Sequence, residues 1–214
     1  DEVWLELIDY RDVVHAIKDM RVRGAPAIGV AGAYAMVLAA KELLGGDSAG
    51  FADGLEAAAE SIRSTRPTGA NLAWAVRRMI DAARRAESPG AALVAEAESI
   101  HREDIEANRA MGRHGAALLP DGGSVLTHCN AGALATGGYG TSLGVIKTAW
   151  AEGRVSHVYA TATRPLLQGS RLTAWELVRE GIDATVLPDS AAGQLMRRGR
   201  VQSVILGADR IAAN

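Results

Sequence analysis

Cys129 is the only cysteine in 214 residues. It stands in Thr127-His128-Cys129-Asn130-Ala131-Gly132, directly after the apolar run Ser124-Val125-Leu126. The glycine-rich stretch Ala133-Leu134-Ala135-Thr136-Gly137-Gly138-Tyr139-Gly140-Thr141 follows and leads into a helical pattern, so the thiol falls where a parallel strand ends. Ligands of open α/β sheets bind at that end of the strands, and a facing helix N-terminus favours a thiolate or a phosphate. Cys129 also reads as a small buried hydrophobe, the common lot of a free cysteine. A carboxylate, Asp209, comes just past another strand-like run in Leu206-Gly207-Ala208-Asp209-Arg210-Ile211. There it is placed for proton transfer to a ligand, or for capping a helix or pairing with Arg210.

Two arginine segments are candidates for holding an anion. Arg21-Val22-Arg23-Gly24-Ala25-Pro26-Ala27-Ile28-Gly29 sets Arg23 at the mouth of a nearly uncharged helix, where unpaired backbone N–H groups attract anions. The guanidinium fork suits phosphate, although a basic residue there can simply cap its neighbour. Arg66, in Thr65-Arg66-Pro67-Thr68-Gly69-Ala70-Asn71-Leu72, precedes a further helix and either serves the same anion or stays solvated. The turn Gly137-Gly138-Tyr139-Gly140 lacks both the full dinucleotide fingerprint and its acidic partner. No His/Cys/Asp cluster has metal-ligand spacing, so no metal is expected.

The elements that must position these groups differ between the two parts of the chain. From Asp9 to about His114 the apolar spacing is helical, with Val13, Val14, Ile17 and Met20 on one face, then Ala27 to Leu44, Phe51 to Ile62, Leu72 to Ala86 and Ala91 to Met111. Turns are expected at Gly45-Gly46-Asp47-Ser48, Arg66-Pro67-Thr68-Gly69 and Ser88-Pro89-Gly90. Beyond Leu119-Pro120-Asp121-Gly122-Gly123 the pattern becomes β runs at 124–128, 157–161, 183–187 and 203–207, alternating with helices near 142–152, 171–180 and 191–198. The expectation is an α/β protein: a mainly helical N-terminal domain, 1–118, and the first part of a Rossmann-like parallel-sheet domain, 119–214.

Composition narrows the function classes. With 48% hydrophobic residues and a formal net charge of -2, the chain can bury a core and presents no global basic field, so nucleic acid is not an expected partner. A lone cysteine excludes an internal disulfide and fits a reducing, cytoplasmic setting. The uncharged stretch Ala25 to Ala40 is too short and too rich in Ala and Gly for a membrane span and reads as a buried helix opened by Pro26.

Five segments carry a resemblance, in order along the chain: Arg23 to Gly29, Arg66-Pro67-Thr68, Leu126 to Gly132, Arg164-Pro165-Leu166-Leu167-Gln168-Gly169-Ser170-Arg171-Leu172-Thr173-Ala174-Trp175-Glu176-Leu177, and Gly207 to Asn214. Together they resemble the methylthioribose-1-phosphate isomerase family, aldose–ketose isomerases of methionine salvage. The wider superfamily includes ribose-1,5-bisphosphate isomerases and the regulatory subunits of a translation-initiation exchange factor. The resemblance implies that Cys129 and Asp209 form the catalytic pair and that Arg23, Gly24, Ala25, Arg66 and Gln168 hold a sugar phosphate. It further implies a cofactor-free isomerase acting as a homodimer. A ribose-1,5-bisphosphate isomerase and a non-catalytic exchange-factor-like subunit stand as alternatives.

Two departures accompany the matches. Where the family carries an acidic pair before Thr163-Arg164-Pro165, this chain has Thr161-Ala162, which is expected to alter hydrogen bonding beside the pocket. Family members also run on past the position of Asn214 and hold a downstream Asn-Lys pair that contacts substrate. The sheet domain is therefore expected to be truncated, with a separate C-terminal segment of the same protein as a possible partner.

Overall fold

The computed structural model describes residues 2–45, 50–208 and 211–214. Most of the expected Gly45-Gly46-Asp47-Ser48 turn lies outside the described residues, and so does Asp209. Packing divides the chain into two compact units, Asp1–Glu103 and Asp104–Asn214.

The first unit is helical: α1 (Tyr10–Lys18), α2 (Ala25–Leu44), α3 (Phe51–Arg63), α4 (Ala70–Arg85) and the first half of α5 (Pro89–Ala116). Asp9 starts α1 by accepting the Arg11 N–H at 2.7 Å, satisfying a donor the first turn would leave orphaned. Val13, Val14 and Ile17 then recur on its buried face. α2 differs because its small apolar residues surround it; Ala33, Ala35 and Met36 are fully buried among Leu72, Val76 and Met79 of α4 and Ile62 of α3. It is the one helix among the described residues long and apolar enough to cross a membrane by length and composition, and it packs as the central helix of this core. Each fully buried Leu, Ile or Met here contributes about 1.5–3 kcal/mol by leaving water.

In the second unit four parallel strands, β1 (Gly123–Thr127), β2 (Val155–Thr161), β3 (Ala184–Leu187) and β4 (Ser203–Val204), lie in the order β3-β2-β1-β4. Helices α6 (Ser142–Ala151), α7 (Ala174–Arg179) and α8 (Ala192–Arg197) alternate with them. Successive strand residues face opposite sides. Val125, Val158 and Ala160 therefore join Ile146, Ala149 and Leu177 of α6 and α7, while Leu126, Tyr159 and Leu187 meet Ala192 and Leu195 of α8 on the other face. Strand order steps one way from β1 through β3 and then returns past β1 to β4, which moves the crossover helix to the opposite face when crossovers are right-handed. That reversal makes the carboxyl ends of β1 and β4 a topological switch point.

The second half of α5 belongs to this unit because it packs on it. Asp104 accepts the Gly137 N–H at 2.6 Å, and Gly115 meets Val145 of α6 closely enough that an added methyl would lie 2.6 Å from its side chain. The change in sequence texture near 119 marks the approach to β1, whereas the packing division falls inside α5. β4 pairs over only two residues, shorter than the run expected at 203–207.

Candidate active site

Cys129 is half-buried two residues beyond the end of β1, the strand at the switch point. Its φ of 62° is in the left-handed region, which costs a non-glycine residue energy unless neighbours enforce it. Both sides of the residue are held: its N–H donates to Thr163 Oγ1 at 2.8 Å, and its carbonyl accepts from Thr173 Oγ1 at 2.5 Å. Thr163 (φ 63°) and Leu167 (φ 62°) are also left-handed, so three of the four such non-glycine residues among the described positions belong to the loops after β1 and β2. Backbone strain concentrates at the thiol.

The neighbouring loops supply the polar groups that hold it. The Asp189 carboxylate, after β3, accepts the Thr163 N–H at 2.7 Å and the Arg164 N–H at 2.8 Å. These backbone donors, Arg164 foremost, hold it below the usual carboxylate range. His128, exposed at the end of β1, places Nδ1 2.6 Å from Thr161 Oγ1. Thr161 is itself buried, and its hydroxyl lies between His128 and the Thr163 hydroxyl, 3.5 Å away.

Beneath Cys129 lies a second clamp. Asn130 is buried, and its amide donates to Glu176 Oε1 at 2.8 Å and Thr173 Oγ1 at 3.2 Å. Glu176, also buried, accepts the Ala133 N–H at 2.7 Å through Oε2. A carboxylate so occupied fixes the loop after the thiol. Gln168 begins a wide π-type turn, Gly169–Thr173, that leads into α7. Gly169 is required there, because a side chain would collide with the Thr161 carbonyl. The chain leaving β4 approaches the same loop: a methyl on Gly207 would stand 2.8 Å from Ala131 Cβ.

The anion candidates lie in the first unit. Gly24 precedes α2 with φ 99°, a conformation glycine adopts freely, and α2 has no acidic residue in its first turn. Added methyls locate the neighbouring turn: one on Gly69 would lie 3.2 Å from Ile28 Cδ1, and one on Gly29 3.2 Å from the Asn71 carbonyl. The starts of α2 and α4 therefore lie together, bringing Arg23-Gly24-Ala25 and the half-buried Arg66 to one region of this unit.

Cys129 and Gln168 thus belong to strand-end loops of the second unit, Arg23, Gly24, Ala25 and Arg66 to paired helix mouths of the first, and Asp209 lies outside the described residues. Sequence reasoning gave no role to His128, Thr163, Thr173, Glu176 or Asp189, and marked Thr161 only as a departure from the family's acidic pair. Glu176 carried a legible signal, a carboxylate within the apolar helical run Ala174-Trp175-Glu176-Leu177-Val178. The threonines carried none, since their function depends on which loops meet.

Comparison with known proteins places this geometry among relatives. The Initiation factor 2 subunit family matches residues 21–214. The methylthioribose-1-phosphate isomerase of Pelotomaculum thermopropionicum is 51% identical over 219 residues, covering 100% of this chain and 60% of that protein. The crystal structure of 5-methylthioribose 1-phosphate isomerase from Pyrococcus horikoshii OT3 superposes with a TM-score of 0.88 at 42% identity, covering 96% of this chain and 59% of that one. A structure described as translation initiation factor eIF-2B, subunit delta, from A. fulgidus gives 0.86 at 47% identity, covering 97% and 62%. The chain spans about three fifths of the length of the relatives it matches.

Proposed function

The chain belongs to the Initiation factor 2 subunit family, and from that premise we propose that it carries the thiol-bearing part of an aldose–ketose isomerase converting 5-methylthioribose 1-phosphate to 5-methylthioribulose 1-phosphate. The observation that carries this reading is the lone thiol of Cys129, held in strained backbone at the carboxyl end of the sheet. Relatives bearing the isomerase name support it across the whole of this chain. The reaction belongs to methionine salvage, in the cytoplasm, and the working assembly is a homodimer.

In such a substrate phosphate caps the anomeric oxygen, so no free aldehyde exists until the ring opens. Asp209 donates a proton to the ring oxygen as the C1–O bond breaks. The hydrogen at C2 then reaches C1, either as a proton carried by Cys129 or as a hydride in a dry pocket, while the 2-hydroxyl loses its proton to become the ketone. Arg23, Arg66 and the N–H groups at Gly24 and Ala25 are the phosphate-holding groups of the first unit, and Gln168 is the substrate-holding group of the second. Neither route calls for a metal or an organic cofactor.

The A. fulgidus relative, described as an initiation-factor subunit, favours a second reading as a non-catalytic regulatory subunit. One assay separates them. Incubating the protein with 5-methylthioribose 1-phosphate, and separately with ribose 1,5-bisphosphate, should yield ketose from the first only. Ketose from the second alone would change the substrate, and none from either would favour the regulatory reading.

A further inference from the structure

Each peptide group is a rigid plane, so anchoring the planes on both sides of an α-carbon fixes its φ and its ψ together. Cys129 is anchored in this way. Its N–H, in the plane shared with His128, donates to Thr163 Oγ1 at 2.8 Å. Its carbonyl, in the plane shared with Asn130, accepts from Thr173 Oγ1 at 2.5 Å. Direction is unambiguous in both bonds, because a backbone N–H only donates and a carbonyl only accepts. The two hydroxyls are held in turn. Thr163 gives its hydroxyl proton to the Thr161 carbonyl at 3.3 Å and its N–H to Asp189 Oδ1 at 2.7 Å. Thr173 is fully buried, and its oxygen accepts the Asn130 amide at 3.2 Å. Fixed planes fix the Cα–Cβ bond as well, so at a φ of 62° the thiol keeps χ1 as its one heavy-atom torsion. Without those anchors a residue bearing a Cβ returns to the extended or right-handed regions.

We propose that Thr163 and Thr173 are positioning residues for the reaction, their two hydroxyls together holding Cys129 in the left-handed backbone that sets where its thiol stands before substrate arrives. The proposal rests on the isomerase reading for its substrate. Each hydroxyl acts through the Cys129 backbone and needs no contact with the sugar. Placing a reacting group in advance speeds the chemical step, while affinity is left to the groups that hold the substrate. Those are Arg23, Arg66 and Gln168 in the reading above, none of which belongs to the clamp. The two bonds also serve a single conformation. Breaking either one releases it, so breaking the second adds little, as expected of residues acting as a unit.

The test combines kinetics with amide hydrogen exchange, read by NMR, on the full-length protein. Thr163→Val and Thr173→Val keep the side-chain shape and lose the hydroxyl. Each should lose roughly 10²-fold in kcat with KM within about twofold of wild type. Thr163→Ser and Thr173→Ser should recover most of the rate, and the double valine variant should be little slower than the slower single one. The Cys129 amide should be protected from exchange in wild type and lose protection in both valine variants. Wild-type kcat in either valine variant, serine variants as slow as the valine ones, or losses that multiply in the double variant would each overturn the proposal. So would an unprotected Cys129 amide in wild type, a result that needs no variant to fold. A wild-type protein that turns over neither sugar phosphate would instead defeat the isomerase reading, and Cys129 amide exchange in the two valine variants would then decide the positioning by itself.

Discussion

Cys129 is fixed by its backbone as much as by its side chain. Threonine hydroxyls hold it before and after, and its φ of 62° turns the chain away from the extended path of β1. Replacing the thiol should therefore cost chemistry and spare the fold. Cys129→Ala should lose several orders of magnitude in turnover while its urea midpoint stays near that of wild type, because little volume is removed. Iodoacetamide, with a single target in the chain, should inactivate, and substrate should protect. At the anion mouths, Arg23→Ala and Arg66→Ala should each weaken substrate binding by about 1.5–3 kcal/mol, read as a raised Michaelis constant, with sulfate competing in wild type. An unchanged KM in both variants would move the phosphate elsewhere.

At the scale of elements, Glu176 is where helix and loop are joined. Its carboxylate, carried by α7, binds the Asn130 amide and the Ala133 N–H within the loop after β1. Glu176→Ala would take the acceptor from the Ala133 N–H and one of the acceptors from the Asn130 amide, and should destabilise by about 1–3 kcal/mol, measured by chemical denaturation. Glu176→Gln should be milder, since one acceptor oxygen survives. In the first unit, Arg78 of α4 ties to α5, hydrogen-bonding both oxygens of Glu103 at 2.5 and 2.7 Å and pairing with Glu96. The hydrogen bonds from Arg78, helped by Ser99, pull the Glu103 carboxyl down to about 2 from an ordinary 4.5. A depressed carboxyl stabilises the fold fully above its ordinary value and loses that contribution as pH falls through about 2. With the Glu103 side chain 48% exposed, solvent screening keeps the effect small. The difference in thermal midpoint between wild type and Glu103→Gln should thus shrink as the pH is lowered across that window, and a difference independent of pH would contradict the assignment.

For the whole molecule, the sheet edge matters most. Among the described residues β4 pairs with β1 alone, and Val204 and Leu206 remain 46% and 54% exposed. An apolar strand edge of this kind pairs with other chains unless covered. The relatives hold further chain outside the span they share with this one, and that material is the cover we propose. Residues 1–214 by themselves should self-associate with concentration in sedimentation experiments, and Leu206→Lys should reduce the effect. Co-expression with the remaining portion of a relative should yield a defined homodimer. A monodisperse monomer at high concentration from residues 1–214 alone would contradict this.

Sequence by itself determined the order and kind of the elements, because helical and strand periodicities are local and strong: five helices before residue 119, then strands alternating with helices, with Cys129 just past the end of β1. It also supplied the resemblance. What it could not set was anything made by loops meeting across the sheet. Thr161, Thr163, Thr173 and Asp189 are separated from the residues they hold by 25 to 44 positions, and their types are commonplace in turns. Only the strand order β3-β2-β1-β4 brings the carboxyl ends of β1, β2 and β3 side by side, where single hydroxyls can hold the strained backbone of a thiol. The short β4 is likewise a tertiary outcome, since a strand persists only as far as its neighbour offers hydrogen bonds, and β1 pairs with it at Val125 and Leu126 alone.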